Sequence, residues 1–145
     1  MKKNLISDDI FVKGTIFIDR KATSIQGIKP KYFIGLNNAN DNDDRITCFV
    51  LNTENFPDRL TEGCHKEKEK FYILPDKFSF LPNHTVIMLN RAYYYHLEEI
   101  ISKTEITTLV TVSEILARQI KNCIDKNNIE ELGWNNISQS FKNVK

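Results

Sequence analysis

The densest cluster of chemistry-bearing side chains in the sequence is Arg91-Ala92-Tyr93-Tyr94-Tyr95-His96. Alternate residues of an extended chain share a face, so Arg91, Tyr93 and Tyr95 would lie together as one cation beside two rings. That combination holds phosphate and stacks bases, which is the chemistry of single-stranded nucleic-acid binding. The same rings could instead fill a core or a seam between two copies. An unperturbed imidazole titrates near neutrality, so His65, His84 and His96 are candidate proton carriers. His65 stands out among them, because Gly63-Cys64-His65-Lys66 reads as a loop ahead of a strand, where sites are commonly carried. Lys29 and Lys31, at the entrance to a strand, add positive charge, and Thr53 adds a hydroxyl donor. Each has a plainer use, as a solvating charge or as a cap on a strand end.

Other chemistries are excluded or given no support. Lys plus Arg number 20 against 19 Asp plus Glu, a net charge of +1, so a nucleic acid would have to meet a local patch. His65-Lys-Glu-Lys-Glu-Lys70 alternates in sign and reads as a solvated, aggregation-resistant edge rather than a phosphate patch. Cys48, Cys64 and Cys123 are odd in number, widely spaced and without a C-x-x-C, which predicts three reduced thiols rather than a disulfide framework. Cys48, Cys64, His65 and His84 match no zinc spacing, so no metal and no cofactor is expected. There is no Gly-rich phosphate loop and no G-x-S-x-G. Asn4-Leu-Ile-Ser-Asp-Asp9 breaks any apolar export segment, and the expectation is a cytoplasmic protein without a membrane span.

The elements that would position these groups change character along the chain. Phe11–Asp19 is β-branched and aromatic, with Val12, Ile16 and Ile18 on one face and Phe11, Thr15 and Phe17 on the other. A strand apolar on both faces belongs in a small closed barrel. A polar loop is expected from Arg20 to Lys29, then a strand Lys31–Leu36 after Pro30, a turn Asn37–Asp44 and a returning strand Arg45–Leu51. Lys70–Leu74, Phe78–Leu81 and Thr85–Leu89 complete six short strands. Thr111 with Glu114 reads as a capping box, opening one amphipathic helix that carries Ile115, Leu116, Ile120, Cys123 and Ile124. The prediction is a single α+β domain over 1–145. It comprises a small, strongly bent antiparallel SH3-like barrel over about 8–101, a packed C-terminal helix over about 111–127 and a short tail, 128–145, in which Ile129–Trp134 adds a short turn of helix, Trp134 anchors the segment and Asn135–Lys145 is frayed.

The order of these parts resembles the MazF/PemK toxins. The resemblance lies in Gly14-Thr-Ile-Phe-Ile-Asp19, a polar loop, Lys29-Pro30 opening a strand, a strand ending in Asn52-Thr53, and Thr85-Val-Ile-Met-Leu89 before a terminal helix. It implies an SH3-like barrel, usually a homodimer, that cleaves single-stranded RNA without a metal and is neutralised by a cognate antitoxin. The family's Arg-Pro pair maps onto Lys29-Pro30 and its Thr or Ser onto Thr53. Lysine is not an equivalent of arginine here, since a guanidinium forks across two phosphate oxygens and an ammonium is a point charge. On this resemblance Lys29, Thr53 and His65 are the candidate catalytic residues, and Lys31, Arg91, Tyr93 and Tyr95 the candidate RNA contacts. The alternative is a non-catalytic barrel that binds RNA or a protein.

Overall fold

The structure, a computed structural model, describes residues 10–24, 27–53, 61–73, 77–81 and 83–142. Among these, eight strands pair antiparallel: β1 (Thr15–Ser24), β2 (Gly27–Gly35), β3 (Arg45–Thr53), β4 (Gly63–His65), β5 (Lys70–Ile73), β6 (Thr85–Met88), β7 (Tyr93–His96) and β8 (Ile106–Thr111). They form one sheet in the order β4-β5-β6-β3-β2-β1-β8, with β7 also on β3. The sheet forks at β3, whose first residues, Arg45 to Cys48, pair with β7 and whose last, Leu51 to Thr53, pair with β6. Helices α1 (Leu97–Ser102), α2 (Glu114–Cys123) and α3 (Glu131–Ser140) complete a mainly β, barrel-like α+β fold.

Both faces of the central strands are buried, as the apolar residues of β1 predict. The cross-strand row Ile16–Ile34–Phe49 belongs to one core, with Ala117, Ile120 and Cys123 of α2 and Ile137 of α3. The next row, Phe17–Phe33–Val50, belongs to a second core that Leu97 and Ile100 of α1 help to cover. These are called the first and second faces below. Side chains alternate along each strand, so one register fixes which residues meet on each face.

Several expectations are corrected. The polar loop over 20–29 is mostly strand: β1 runs on to Ser24 and β2 begins at Gly27, with a bulge in β1 between Asp19 and Ala22 that absorbs the polar residues. The sheet does not stop near residue 101, because β8 follows α1 and pairs with β1, and among the described residues it is open, with β4 and β8 at its ends rather than paired into a closed barrel. Its Thr-rich, exposed sequence carries little apolar signal. Thr111 ends that strand, and the helix cap is Ser113, whose hydroxyl accepts from the Leu116 N–H at 3.1 Å; the helix covers Glu114–Cys123 rather than 111–127.

The tail is a docked helix. Gly133 of α3 lies so close to the sheet that a Cβ there would meet Ile129, Thr47 and Tyr94 at 3.0–3.2 Å. The Asn38 N–H donates to Ser140 Oγ at 2.8 Å, and Arg45 pairs with Glu130 at 2.6 Å, so both ends of the segment are tied down. Trp134 packs against the first-face core, with the Lys121 ammonium 5.7 Å from its ring centroid.

The cysteines are not all reduced. Cys64 of β4 and Cys123 of α2 form a disulfide, while Cys48 is a buried free thiol. The bond spans 59 positions, and constraining a loop of that length stabilises the folded state by about 4 kcal/mol. Sequence spacing could not show this pair, because the fold brings the two residues together from different elements. Among the described residues no helix is long and apolar enough to cross a membrane.

Candidate nucleic-acid interface

The second face carries most of the candidate residues. Along β2, alternation puts Lys29 and Lys31 on the side of Phe33, and Lys31 lies opposite Asp19 of β1. Asp19 is almost fully buried; its Oδ2 accepts from the Tyr95 hydroxyl at 2.7 Å and its Oδ1 from the Lys21 N–H at 3.0 Å. The Tyr95 ring makes edge contacts with Phe17 at 5.2 Å and Phe33 at 5.3 Å. Burial, and then the hydrogen bond to Asp19, push the Tyr95 phenol above its ordinary range. Tyr95 is therefore a neutral donor held inward, rather than an open platform for a base.

Tyr93 is placed differently. Its ring meets Phe33 edge-on at 5.5 Å, and the exposed Arg91 guanidinium lies 5.0 Å from its centroid. Arg91, Tyr93, Phe33 and Lys31 thus make a row with a cation at each end, and Lys29 continues it two residues along β2. Tyr94 points to the first face, where the Arg45 guanidinium covers it at 4.1 Å and Glu130 neutralises that arginine.

Neither a family model nor a curated protein matches this sequence.

His65 is on strand β4 rather than in a loop. Its ring stands edge-on to Tyr72 at 4.7 Å, and Nε2 lies 2.9 Å from the Thr61 carbonyl, which can only accept. Nε2 therefore donates to that carbonyl. In sheet order β4 lies four places from β2, about 19 Å along the sheet, and its packing partners are β5 and α2. The structure does not group His65 with Lys29 and Lys31. His96 opens α1, with Nδ1 3.7 Å from Asp44 on the surface, and His84 is half-buried before β6.

Thr53 is exposed at the end of β3, opposite Thr85, and alternation from Leu51 puts it on the first face. It lies on the opposite face from Lys29 but at the same end of the sheet, because β2 and β3 are antiparallel and Tyr32 pairs with Leu51. Thr53 borders a cleft of about 170 Å³ that also includes Tyr32, Phe80 and Asn83. The resemblance pointed to Thr53 but not to its neighbours; their sequence signal was the alternation Phe78-Ser-Phe80. The Asp19–Tyr95 bond was also missed, since its partners are 76 positions apart. Among the described residues no three of His, Cys, Asp and Glu converge as a metal site.

Proposed function

We propose that the protein binds single-stranded RNA at this end of the sheet and cleaves it without a metal, as the resemblance to MazF/PemK toxins implies. The observation that carries the reading is the row of Lys29, Lys31, Phe33, Tyr93 and Arg91 on one sheet face. Exposed Lys29 and Arg91 and half-buried Lys31 can hold a phosphate backbone, and the half-buried Tyr93 ring offers a face to a base, while Phe33 itself is buried in the core.

For cleavage, the 2′-oxygen attacks phosphorus, the 5′-oxygen leaves, and the product end is a 2′,3′-cyclic phosphate. One proton leaves the 2′-hydroxyl and one reaches the 5′-oxygen. Lys29 and Lys31 are the cations at hand for the charge that builds on the phosphoryl oxygens, and the Thr53 hydroxyl, at the same end of the sheet but on its other face, is a donor for a neighbouring group of the RNA. Nδ1 of His65, the ring nitrogen that does not face the Thr61 carbonyl, is the candidate base on strand β4. On this reading the partners are single-stranded RNA, an antitoxin segment and a second copy of the chain.

A non-catalytic RNA-binding barrel is the second reading. It is favoured by the distance of His65 along the sheet and by the inward hydrogen bond of Tyr95, which keep these two side chains from serving as the proton carrier beside Lys29. The deciding experiment incubates a long defined RNA with the protein in the presence of chelator, beside Lys29→Ala and Thr53→Ala, and analyses the end groups of any product. Discrete fragments with cyclic phosphate ends, lost in both variants, support the enzyme. Intact RNA that is nevertheless retained by the folded protein supports the binding module. Intact and unbound RNA overturns both.

The cytoplasmic expectation and the Cys64–Cys123 bond pull in different directions, since disulfides persist mainly in oxidising compartments. Alkylation of free thiols at the moment of cell lysis separates them: one blocked cysteine means the bond exists in the cell, three mean it forms afterwards.

A further inference from the structure

The cleft beside Thr53 has no role in the reading above beyond that one hydroxyl, yet it is built for a flat ligand. Its volume of about 170 Å³ is below the roughly 300–1,000 Å³ of sites for drug-sized molecules and suits a single ring system. One wall is aromatic: Tyr32 and Phe80 stack at 5.6 Å and 27°, and Phe80 stacks on Phe78 at 5.8 Å and 16°. Leu51 and Leu81 give an apolar floor. The buried Thr85 hydroxyl donates to the Asn83 carbonyl at 3.1 Å, which fixes the Asn83 backbone at the rim and leaves its side-chain amide open.

Among the described residues the Asn83 amide, the Thr53 hydroxyl and the Tyr32 phenol have no hydrogen-bond partner within the chain. An amide and two hydroxyls each both donate and accept, so together they can read the edge of a heterocycle lying against the rings. The surroundings favour a nucleobase over a free aromatic metabolite. Lys29 and Lys31 lie at the same end of the sheet on the opposite face, so a polynucleotide passing round that end can set its phosphates on the lysines and turn one base into the cleft.

We infer that the cleft formed by Tyr32, Thr53, Phe80 and Asn83 binds one nucleobase of a single-stranded RNA, stacked on the Tyr32–Phe80 pair with its edge read by Asn83 and Thr53. The inference rests on the RNA reading and extends it to a base-selective pocket. It makes Asn83 and Thr53 determinants of sequence preference, with affinity set by the lysine row.

The test measures fluorescence anisotropy of labelled oligo(U), oligo(A) and oligo(C) carrying 2′-O-methyl groups, which cannot be cleaved through the 2′-oxygen. Wild type, Phe80→Ala and Asn83→Ala are compared over a range of salt, each first shown to be folded by its melting curve. Loss of one stacked base in Phe80→Ala weakens binding roughly 5- to 100-fold with the salt slope unchanged. Asn83 is exposed, so its replacement leaves the fold intact and narrows the spread of affinities among the three oligomers. If wild type binds and both variants match it in affinity and base preference, the pocket is overturned and the RNA reading stands. A uniform loss in Asn83→Ala with a smaller salt slope overturns it too, since that marks a phosphate contact. If wild type binds none of the oligomers, the RNA reading falls and the pocket falls with it.

Discussion

The two faces of the sheet are buried by different means. On the first face, Ile16, Ile34, Phe49 and Leu51 meet α2 and α3, and the layer is sealed by the Cys64–Cys123 bond and by the Arg45–Glu130 pair at the foot of α3. On the second face the rings of Phe11, Phe17, Phe33 and Tyr95 pack on one another, and among the described residues the six-residue α1 is the helix that packs on them. At one end of that face Lys29 is exposed and Lys31 half-buried. The contrast teaches where function can sit: cations on the first face are consumed by carboxylates and rings, whereas Lys29, Lys31 and Arg91 have no carboxylate partner among the described residues.

If the second face is held mainly by its aromatic cluster, removing the central ring should produce the largest effect. Phe17→Ala loses contacts with Phe11, Phe33 and Tyr95 at once and leaves a cavity that the short α1 cannot fill. Stability to urea falls by about 3–5 kcal/mol, the range for a buried Phe→Ala. A loss near 1 kcal/mol would show that the face relaxes around the gap, and that the faces do not differ in the way described.

The first face is broken more selectively through its disulfide. Reduction, or Cys123→Ser, lowers stability by about 4 kcal/mol, measured by melting with and without reductant. Affinity for RNA is unchanged, because the bond joins β4 to α2, neither of which carries the lysine row or lines the cleft beside Thr53. Loss of RNA binding on reduction would mean that β4, with His65, is part of the interface.

How much of this contrast was legible in the sequence depended on whether the signal was local. The two-sided burial of β1 follows from period-2 alternation of residues that are apolar at both parities, so Ile16 and Phe17 fall into separate cores as their spacing predicts. The extended Tyr93–Tyr95 run was equally legible, and Arg91 does lie against Tyr93. What could not be read is long-range. The β8 strand is marked by threonines that favour a sheet edge but carry no alternation. Helix α3, with Asn135, Asn136 and Ser138, has little intrinsic preference for a helix and is held by docking at Gly133 and Phe141. The Asp19–Tyr95 bond, the disulfide and the ring stack beside Thr53 all join segments that only the register brings together.

The Asp19–Tyr95 bond offers a smaller test of the second face. Tyr95→Phe removes one donor from a buried carboxylate and costs about 1–3 kcal/mol. It also changes the response to alkali. An unfolded tyrosine loses its proton near pH 10, whereas burial and Asp19 keep the folded Tyr95 protonated above that. Below about pH 10 both states hold the proton and stability does not depend on it; above, the unfolded state binds fewer protons, so wild-type stability declines as pH rises. Melting curves from pH 8 upward should show a steeper alkaline decline for wild type than for Tyr95→Phe. Equal declines would mean that the phenol is open to solvent and that the second face is not closed at Asp19.

The smallest expected effect discriminates best between the two faces as surfaces for nucleic acid. Arg91→Ala should weaken RNA binding to a similar degree for every sequence and reduce the salt dependence by about one phosphate contact. Arg45→Ala serves as its counterpart on the first face: its guanidinium is already paired with Glu130 at 2.6 Å and covers Tyr94 at 4.1 Å, so its removal should leave the salt slope unchanged while lowering stability. Titrations of one unmodified oligomer from low to moderate salt, run on both variants beside wild type, give the two slopes directly. If the slope falls in Arg45→Ala and holds in Arg91→Ala, the RNA backbone crosses the helix-covered face, and the cations beside Tyr93 and Phe33 are ordinary surface charge.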